Sequence, residues 1–361
     1  MSNVDGKSVS ARSLRRPLWA RLLCGWADRI AAGQLTIRFP NGDTHFAQGA
    51  LPGPSASLNV RSAKLVWKLA SGGGLGFARA YLDGDWDTPD LGAVLQLGVV
   101  NEAALGTVLA APGPIRLVAF LRHRLRANTR AGSRRNIAFH YDLGNDFYRH
   151  WLDETMTYSS ALFLDEEMSL ADAQRAKYAR IVEALDLGPD DHVLEIGCGW
   201  GGFAEYAAAE TGCRVTGLTL SHEQAEFARE RLAQAGLADK AEIRLQDYRD
   251  CTGQFDKIVS IEMFEAVGEK NWPTYFDALW ALLKPGGRAV VQVITIADEH
   301  FADYRRNADF IQTYIFPGGM LPSPSAFTSV ATERGLAVLD QNFFGADYDR
   351  TLLAWDRAFV A

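Results

Sequence analysis

A glycine-rich loop near the middle of the chain has the residue types of a small-ligand site. The segment VLEIGCGWGG (193–202) follows a run that predicts a β-strand and opens a run that predicts an α-helix. Its glycines are Gly197, Gly199, Gly201 and Gly202. Glycine permits tight turns and lets the backbone approach a ligand closely. The loop alone does not identify the ligand, because dinucleotide-binding enzymes use similar turns.

Three features distinguish this loop from a dinucleotide-binding turn. Glu195 lies at the end of the predicted strand, the spacing is GCGWGG rather than GxGxxG, and DYRD (247–250) precedes the strand-like FDKIVSIEMFE (255–265). The set resembles class I S-adenosylmethionine-dependent methyltransferases. In those enzymes an acid near the loop meets the methionine end of the cofactor, and a later acid receives the adenine amine. Acids and aromatic faces suit a cationic sulfonium better than a phosphate-binding helix end does.

A narrower resemblance extends from residue 140 to residue 355. The segments that carry it are HYDLGNDFYRHWLDETMTYSSALF (140–163), LEIGCGWGGFAEYAA (194–208), GLTLSHEQ (217–224), LQDYRD (245–250), FEAVGEKNW (264–272), YIFPGGMLPS (314–323) and FFGADYDRTLLAW (343–355). In this order they resemble the cyclopropane-fatty-acyl-phospholipid synthases, which include mycolic acid cyclopropane synthases. The resemblance implies transfer of a methyl(ene) group from S-adenosylmethionine to the double bond of an unsaturated phospholipid acyl chain, giving a cyclopropane.

The resemblance also implies which residues form the site. Those expected to contact the cofactor are Tyr158, Ser159, Glu195, Gly197, Cys198, Gly199, Gly201, Thr219, Leu220, Gln224, Gln246, Asp247 and Tyr248. A base site beside the methyl group, where the family binds bicarbonate, matches Ser160, Glu265, Gln292, Ile294 and Tyr348. Ser160 stands where the family has Cys, and Gln292 and Ala266 stand where it has His.

The chemistry explains why such residues are needed. An isolated alkene is a poor nucleophile, so it must be aligned with the methyl group away from water. Aromatic faces and carboxylates can stabilise the resulting carbocation, and a base must then remove a proton to close the ring. Because Ser160 and Gln292 are neutral, methylation without ring closure, giving a methylene or methyl-branched chain, is an alternative. Two others are a non-catalytic lipid-binding relative and a methyltransferase acting on a soluble small molecule.

Strand and helix patterns alternate from about residue 168, which predicts an α/β fold with a doubly wound, Rossmann-like sheet. We expect a smaller N-terminal α+β domain over 1–103, a basic linker over 104–139 and the methyltransferase domain over 140–361. The first domain has helical periodicity over 15–32 and a strand at LTIRF (35–39). GLAVLDQNFF (335–344) predicts the sixth strand. The last antiparallel strand of class I methyltransferases is expected to be missing from this chain.

Composition limits the partners. The 361 residues carry a net charge of −7, which argues against a general nucleic-acid binder. Seven arginines nevertheless lie within residues 116–135, with no acid between Glu102 and Asp142, so a basic contact with anionic lipid headgroups competes with a solvated linker helix. The four cysteines lack zinc-site spacing, and no metal is expected. We expect a cytoplasmic protein, peripheral to the inner face of the membrane, for which a homodimer is left open.

Overall fold

The computed structural model describes residues 16–109, 144–306 and 309–361. These residues divide into two compact units, one formed by 16–109 with 309–310 and the other by 144–306 with 311–361. The seven arginines of the predicted basic linker lie outside the described residues. No helix in the described part of the chain is long and apolar enough to cross a membrane.

The N-terminal unit is an α+β fold around a four-stranded sheet of order β2-β1-β3-β4. Its elements are α1 Leu18–Ala27, β1 Ala32–Arg38, β2 Thr44–Gln48, β3 Leu51–Val60, α2 Lys64–Leu82 with a kink at Gly73, β4 Trp86–Asp87, α3 Leu91–Val100 and α4 Glu102–Leu109. The strand predicted at LTIRF lies within β1. The helix predicted over 15–32 is shorter than expected, because Ala32 already pairs with Leu51 in the sheet.

The second unit contains five parallel strands in the order β7-β6-β5-β8-β9, with helices between them. The strands are β5 His192–Ile196, β6 Arg214–Thr219, β7 Ala241–Leu245, β8 Phe255–Ile261 and β9 Leu283–Gln292. The helices are α5 Asn145–Arg149, α6 Leu170–Leu185, α7 Gly202–Thr211, α8 His222–Gln234, α9 Trp272–Leu282, α10 Asp298–Tyr304, α11 Pro324–Glu333 and α12 Gly345–Val360. This topology confirms the predicted doubly wound α/β fold.

The strand order determines where a ligand can bind. From β5 the chain builds β6 and β7 on one side and then returns to place β8 and β9 on the other. The loops that leave the carboxyl ends of β5 and β8 therefore diverge and open a crevice between them. Val193, Leu194 and Ile196 of β5 are almost wholly buried, which fixes the position of the loop that follows them.

The predicted sixth strand is wrong. Residues 336–344 have no regular secondary structure, and Leu339 is 79% exposed. Within the described residues, β9 pairs with β8 and no strand pairs with 335–344. An apolar extended pattern reports only a local preference. A strand also requires a neighbour for its backbone N–H and C=O groups, which otherwise remain in water.

Candidate active site

The glycine loop connects β5 to α7 and is hydrogen-bonded to the end of β6. The backbone N–H groups of Gly197 and Cys198 both donate to the Leu218 carbonyl, at 3.0 and 2.9 Å. Gly197 has φ +85°, and a Cβ there would lie 2.8 Å from Cγ of Met263. A Cβ on Gly199, in contrast, would have nothing within 4 Å. The loop is therefore packed against the segment after β8 at Gly197 and faces open space at Gly199.

Glu195 is a buried carboxylate beside this loop. It is 2% exposed, and its Oε2 has no hydrogen-bond partner among the described residues. Burial raises the pKa of Glu195 well above its ordinary range, and the charge of Lys177 opposes the rise. A buried, unpaired carboxylate oxygen is costly unless a ligand satisfies it. The amino and sulfonium groups of S-adenosylmethionine have the charge that fits it.

The other predicted cofactor residues lie at the ends of β6 and β7. Thr219 Oγ1 donates to Gln224 Oε1 at 2.8 Å, and the Ser221 side chain caps α8 by accepting from the Gln224 N–H. Gln246 Nε2 donates to the Asp250 carbonyl at 2.8 Å. Arg249 holds both carboxylate oxygens of Asp247, at 2.8 and 2.6 Å. Asp247 is thus oriented by the neighbouring Arg249 guanidinium.

An aromatic cluster fixes the segment that precedes the base site. Its members include Tyr148, Trp151, Tyr158, Tyr348 and Trp355. Tyr158 has ring-centroid distances of 5.7, 5.2 and 5.4 Å to Tyr148, Trp151 and Trp355. These contacts place Ser159 and Ser160, the next two residues, at the end of the sheet.

Lys177 is a site residue that the sequence analysis missed. It is 2% exposed, and its Nζ donates to Ser159 Oγ at 2.6 Å. Burial lowers the pKa of Lys177 to about 7, although Glu262, Asp153 and Glu195 oppose the shift by their negative charge. The sequence of α6 did indicate that Lys177 is buried, because this lysine lies four residues after buried Ala173 and four before buried Ile181. A lysine on the apolar face of a helix indicates a buried partner.

The five predicted base-site residues lie together. Gln292 Nε2 donates to the Ser160 carbonyl at 3.2 Å, and the Ile294 N–H donates to Glu265 Oε1 at 2.5 Å. Burial raises the pKa of Tyr348, and the charge of Glu262 adds to the rise, as do Tyr158 and Glu265. Tyr348 therefore faces the same group of carboxylates. The structure brings these side chains to the ends of β8 and β9 and the start of α12.

A second carboxylate, that of Glu262, lies within this group and was also missed. Its Oε1 accepts hydrogen bonds from the Ser160 N–H and from Gln292 Nε2, both at 2.8 Å. Glu262 has φ +47°, a conformation that non-glycine residues adopt rarely and at an energetic cost. The available signal was the pair of acids three residues apart, Glu262 and Glu265, directly after a buried strand.

The two carboxylates affect each other's ionisation. Burial raises the pKa of Glu262, and Lys177 opposes this rise. Burial, reinforced by the charge of Glu262, raises the pKa of Glu265 to about 8. Two close carboxylates do not both ionise readily, so one of them keeps a proton near neutral pH. We assign the proton to Glu265 because Glu262 accepts two hydrogen bonds on one oxygen and lies near Lys177.

A parallel sheet of this order, with a glycine loop and a buried acid at its central strand, defines a class I S-adenosylmethionine-dependent methyltransferase. A family model described as mycolic acid cyclopropane synthetase matches residues 128–361. The chain belongs to this family. It is therefore an S-adenosylmethionine-dependent methyltransferase related to the cyclopropane synthases, as the motifs predict.

Curated relatives cover most of the chain. Tuberculostearic acid methyltransferase UfaA1 of Mycobacterium tuberculosis is 38% identical over 346 residues, which is 92% of this chain and 79% of that protein. Cyclopropane-fatty-acyl-phospholipid synthase of Escherichia coli is 37% identical over 314 residues, 85% of this chain and 77% of that protein. The solved structure of mycolic acid cyclopropane synthase CmaA1 complexed with SAH and CTAB is 32% identical. It has a TM-score of 0.59 and covers 62% of this chain and 82% of that one.

We expect a methyl group added at Gly199 to weaken cofactor binding. Gly199 and Gly236 both have positive φ, +52° and +71°, and a Cβ on either has nothing within 4 Å. Gly199→Ala and Gly236→Ala should therefore each cost about 1–2 kcal/mol of stability from backbone strain. Only Gly199→Ala should also raise the Kd for S-adenosylhomocysteine, by about tenfold or more, because its new methyl enters the ligand space. Titration calorimetry measures the Kd of both variants. Equal losses of affinity in the two variants would contradict the placement of Gly199 at the cofactor site.

Proposed function

We propose that this enzyme transfers a methyl(ene) group from S-adenosylmethionine to the double bond of an unsaturated phospholipid acyl chain. The observation that carries the proposal is the contact between the cofactor loop and the carboxylate pair. Met263, whose side chain packs on Gly197, lies between Glu262 and Glu265 in the chain. This contact supports the proposal because a methyl donor bound at the loop would lie beside a proton acceptor, as alkene alkylation needs. The names of the two curated relatives above support a fatty-acyl substrate.

The chain's own residues supply the rest of the reaction. S-adenosylmethionine would supply an electrophilic methyl group, bonded to a positively charged sulfonium sulfur. The aromatic cluster gives the acyl chain a water-poor wall, and the faces of Tyr158 and Tyr348 stabilise a developing carbocation. The ionised carboxylate of the pair at the end of β8 stabilises the same charge and accepts the proton that the cation loses.

Two products are possible, and they differ in whether a hydride shift precedes the loss of the proton. When the proton leaves the added methyl group first, its C–H electron pair closes a cyclopropane ring. When a hydride shift occurs first, the same electron pair forms a methylene double bond. A saturated methyl branch additionally requires a hydride donor. The second product is favoured by Ser160 and Gln292, since neither side chain carries a charge or exchanges a proton near neutral pH.

The test is methyl transfer to vesicles. Labelled S-adenosylmethionine should label unsaturated phosphatidylglycerol and leave the saturated lipid unlabelled. Mass spectrometry before and after ozone treatment separates the products, because ozone cleaves a methylene double bond and leaves a cyclopropane intact. Cofactor binding without label in any lipid would indicate a non-catalytic relative. Label only in soluble extracts would indicate a small-molecule substrate.

We extend the proposal to the place of action. Phospholipid acyl chains lie in bilayers, so the enzyme must bind the membrane surface, for which we propose the cytoplasmic face. The arginine-rich residues 116–135 supply charge suited to anionic headgroups. Vesicle binding that falls as salt rises is the expected behaviour.

A further inference from the structure

The hydrogen-bond donors of the base site are already engaged by protein carboxylates. Gln292 Nε2 and the Ser160 N–H both donate to Glu262 Oε1 at 2.8 Å. The Ile294 N–H donates to Glu265 Oε1 at 2.5 Å. The positions that match the family's bicarbonate site therefore hold carboxylate oxygens of this chain.

A free bicarbonate ion does not fit these residues. Its negative charge would lie beside Glu262, the ionised member of the half-buried carboxylate pair, and like charges at close range repel strongly where water is scarce. Its hydrogen bonds would also require Glu262 to release Ser160 and Gln292. Buried donors and acceptors are rarely left unpaired, so this exchange gains nothing.

We propose that Glu262 is the proton acceptor of the reaction, and that its side chain replaces a bound bicarbonate ion. The proposal rests on the proposed function, because it assigns the base for alkylation of an alkene. Its further observation is that Glu262 Oε2 accepts no hydrogen bond from the described residues. One oxygen anchors the group while the other keeps its lone pairs for a proton.

The step balances without any further reactant. The alkene's π electrons form a C–C bond to the methyl carbon as the methyl–sulfur bond breaks, leaving a carbocation on the acyl chain. Glu262 then takes a proton from the added methyl group. The C–H electron pair becomes either the third ring bond or a double bond. Glu262 becomes a neutral carboxylic acid and returns its proton to solvent before the next turnover.

The local structure keeps Glu262 in place for this role. Its own N–H donates to the Gln292 carbonyl at 2.8 Å, which fixes the strained turn after β8. The charged and titratable groups that face it are Lys177 from α6, Glu265 from the same turn and Tyr348 from α12. Lys177 favours the ionised form of Glu262, whereas burial opposes it. A carboxylate with a raised pKa is a stronger base than an exposed one.

The experiment compares Glu262→Gln and Glu262→Gly with the wild-type enzyme, using unsaturated phosphatidylglycerol vesicles in buffer stripped of carbon dioxide. Wild-type turnover should change less than about twofold when bicarbonate is restored, and Glu262→Gln should lose about 100-fold or more. Glu262→Gly removes the carboxylate at a position where glycine is unstrained. Added formate or bicarbonate should restore its turnover about tenfold. Glu333→Gln, an exposed site on α11, is the matched control and should match wild type.

A second measurement does not depend on activity. Isotope-labelled bicarbonate should show no binding to the wild type by NMR and should bind Glu262→Gly. Wild-type turnover that requires bicarbonate, bicarbonate bound to the wild type, or full activity in a folded Glu262→Gln would each overturn the proposal. A wild type that labels no lipid overturns the proposed function instead, and the binding measurement then still decides whether Glu262 excludes the anion.

Discussion

Replacing Trp355 by alanine is expected to remove about 3–5 kcal/mol from the stability of the methyltransferase unit and to abolish turnover. Trp355 is 6% exposed, and its ring lies 5.3 Å from Trp151 and 5.4 Å from Tyr158, centroid to centroid. It also meets the ring of Tyr348 edge-on at 6.4 Å. A cavity at this position removes a packing contact from both Tyr158 and Tyr348, two aromatic residues of the proposed site. Urea unfolding and the vesicle assay measure the two losses.

Two comparison variants test whether the loss depends on where the tryptophan lies or on the size of the side chain that replaces it. Trp280 is 60% exposed, so Trp280→Ala should cost no more than about 1 kcal/mol and leave turnover intact. Trp355→Phe should recover most of the stability, because the Trp355 Nε1 has no hydrogen-bond partner among the described residues and little but ring area is lost. Wild-type stability in Trp355→Ala would show that the aromatic cluster does not hold α12 in place.

The sequence predicted the fold because its signals are local. The runs that form β5 to β8 are short and apolar, and each is followed by a loop or a capped helix, so alternation was readable without contacts. The base-site residues were predicted by motif resemblance, and Glu265 and Ile294 indeed lie within hydrogen-bond distance. Spacing alone could not place Tyr348 near Glu265, since 83 residues separate them in the chain and only the folded unit brings them together.

The residues that the sequence analysis missed depend on tertiary contacts. In the sequence, nothing distinguishes Glu262 from any other acid that follows an apolar strand. Only its hydrogen bonds to Ser160 and Gln292 show that its carboxylate occupies the base site. Ser160 and Gln292 were interpreted as weakened ligands of a free ion. The neutrality of Gln292 has a physical reason once Glu262 is present, because a neutral donor can hold a carboxylate without removing its proton affinity. Ser160 holds Glu262 through its backbone N–H. The failed strand at 335–344 has the same origin, since pairing is a tertiary property.

The last prediction concerns how stability depends on pH through Glu265. The pKa of this carboxyl group rises from an ordinary 4.5 to about 8 in the folded protein, because of burial and the charge of Glu262. Between these values the folded state keeps a proton that the unfolded state releases. The stability contribution of Glu265 therefore falls as pH rises through this window. At about 1.4 kcal/mol per pKa unit, the loss is on the order of 5 kcal/mol when complete.

Glu265→Gln should remove this loss. Glutamine resembles the protonated acid and can still accept from the Ile294 N–H, so near pH 5 the variant should match the wild type to within about 1 kcal/mol. Near pH 9 it should be more stable by several kcal/mol, as urea unfolding at both pH values would show. Glu333→Gln is the control, and its difference in stability from the wild type should be the same at both pH values. If the difference in stability between Glu265→Gln and the wild type were the same at both pH values, the folded protein would hold Glu265 ionised at neutral pH. A difference that rises with pH identifies a carboxyl group that is retained at a cost to stability, as groups that serve a reaction are.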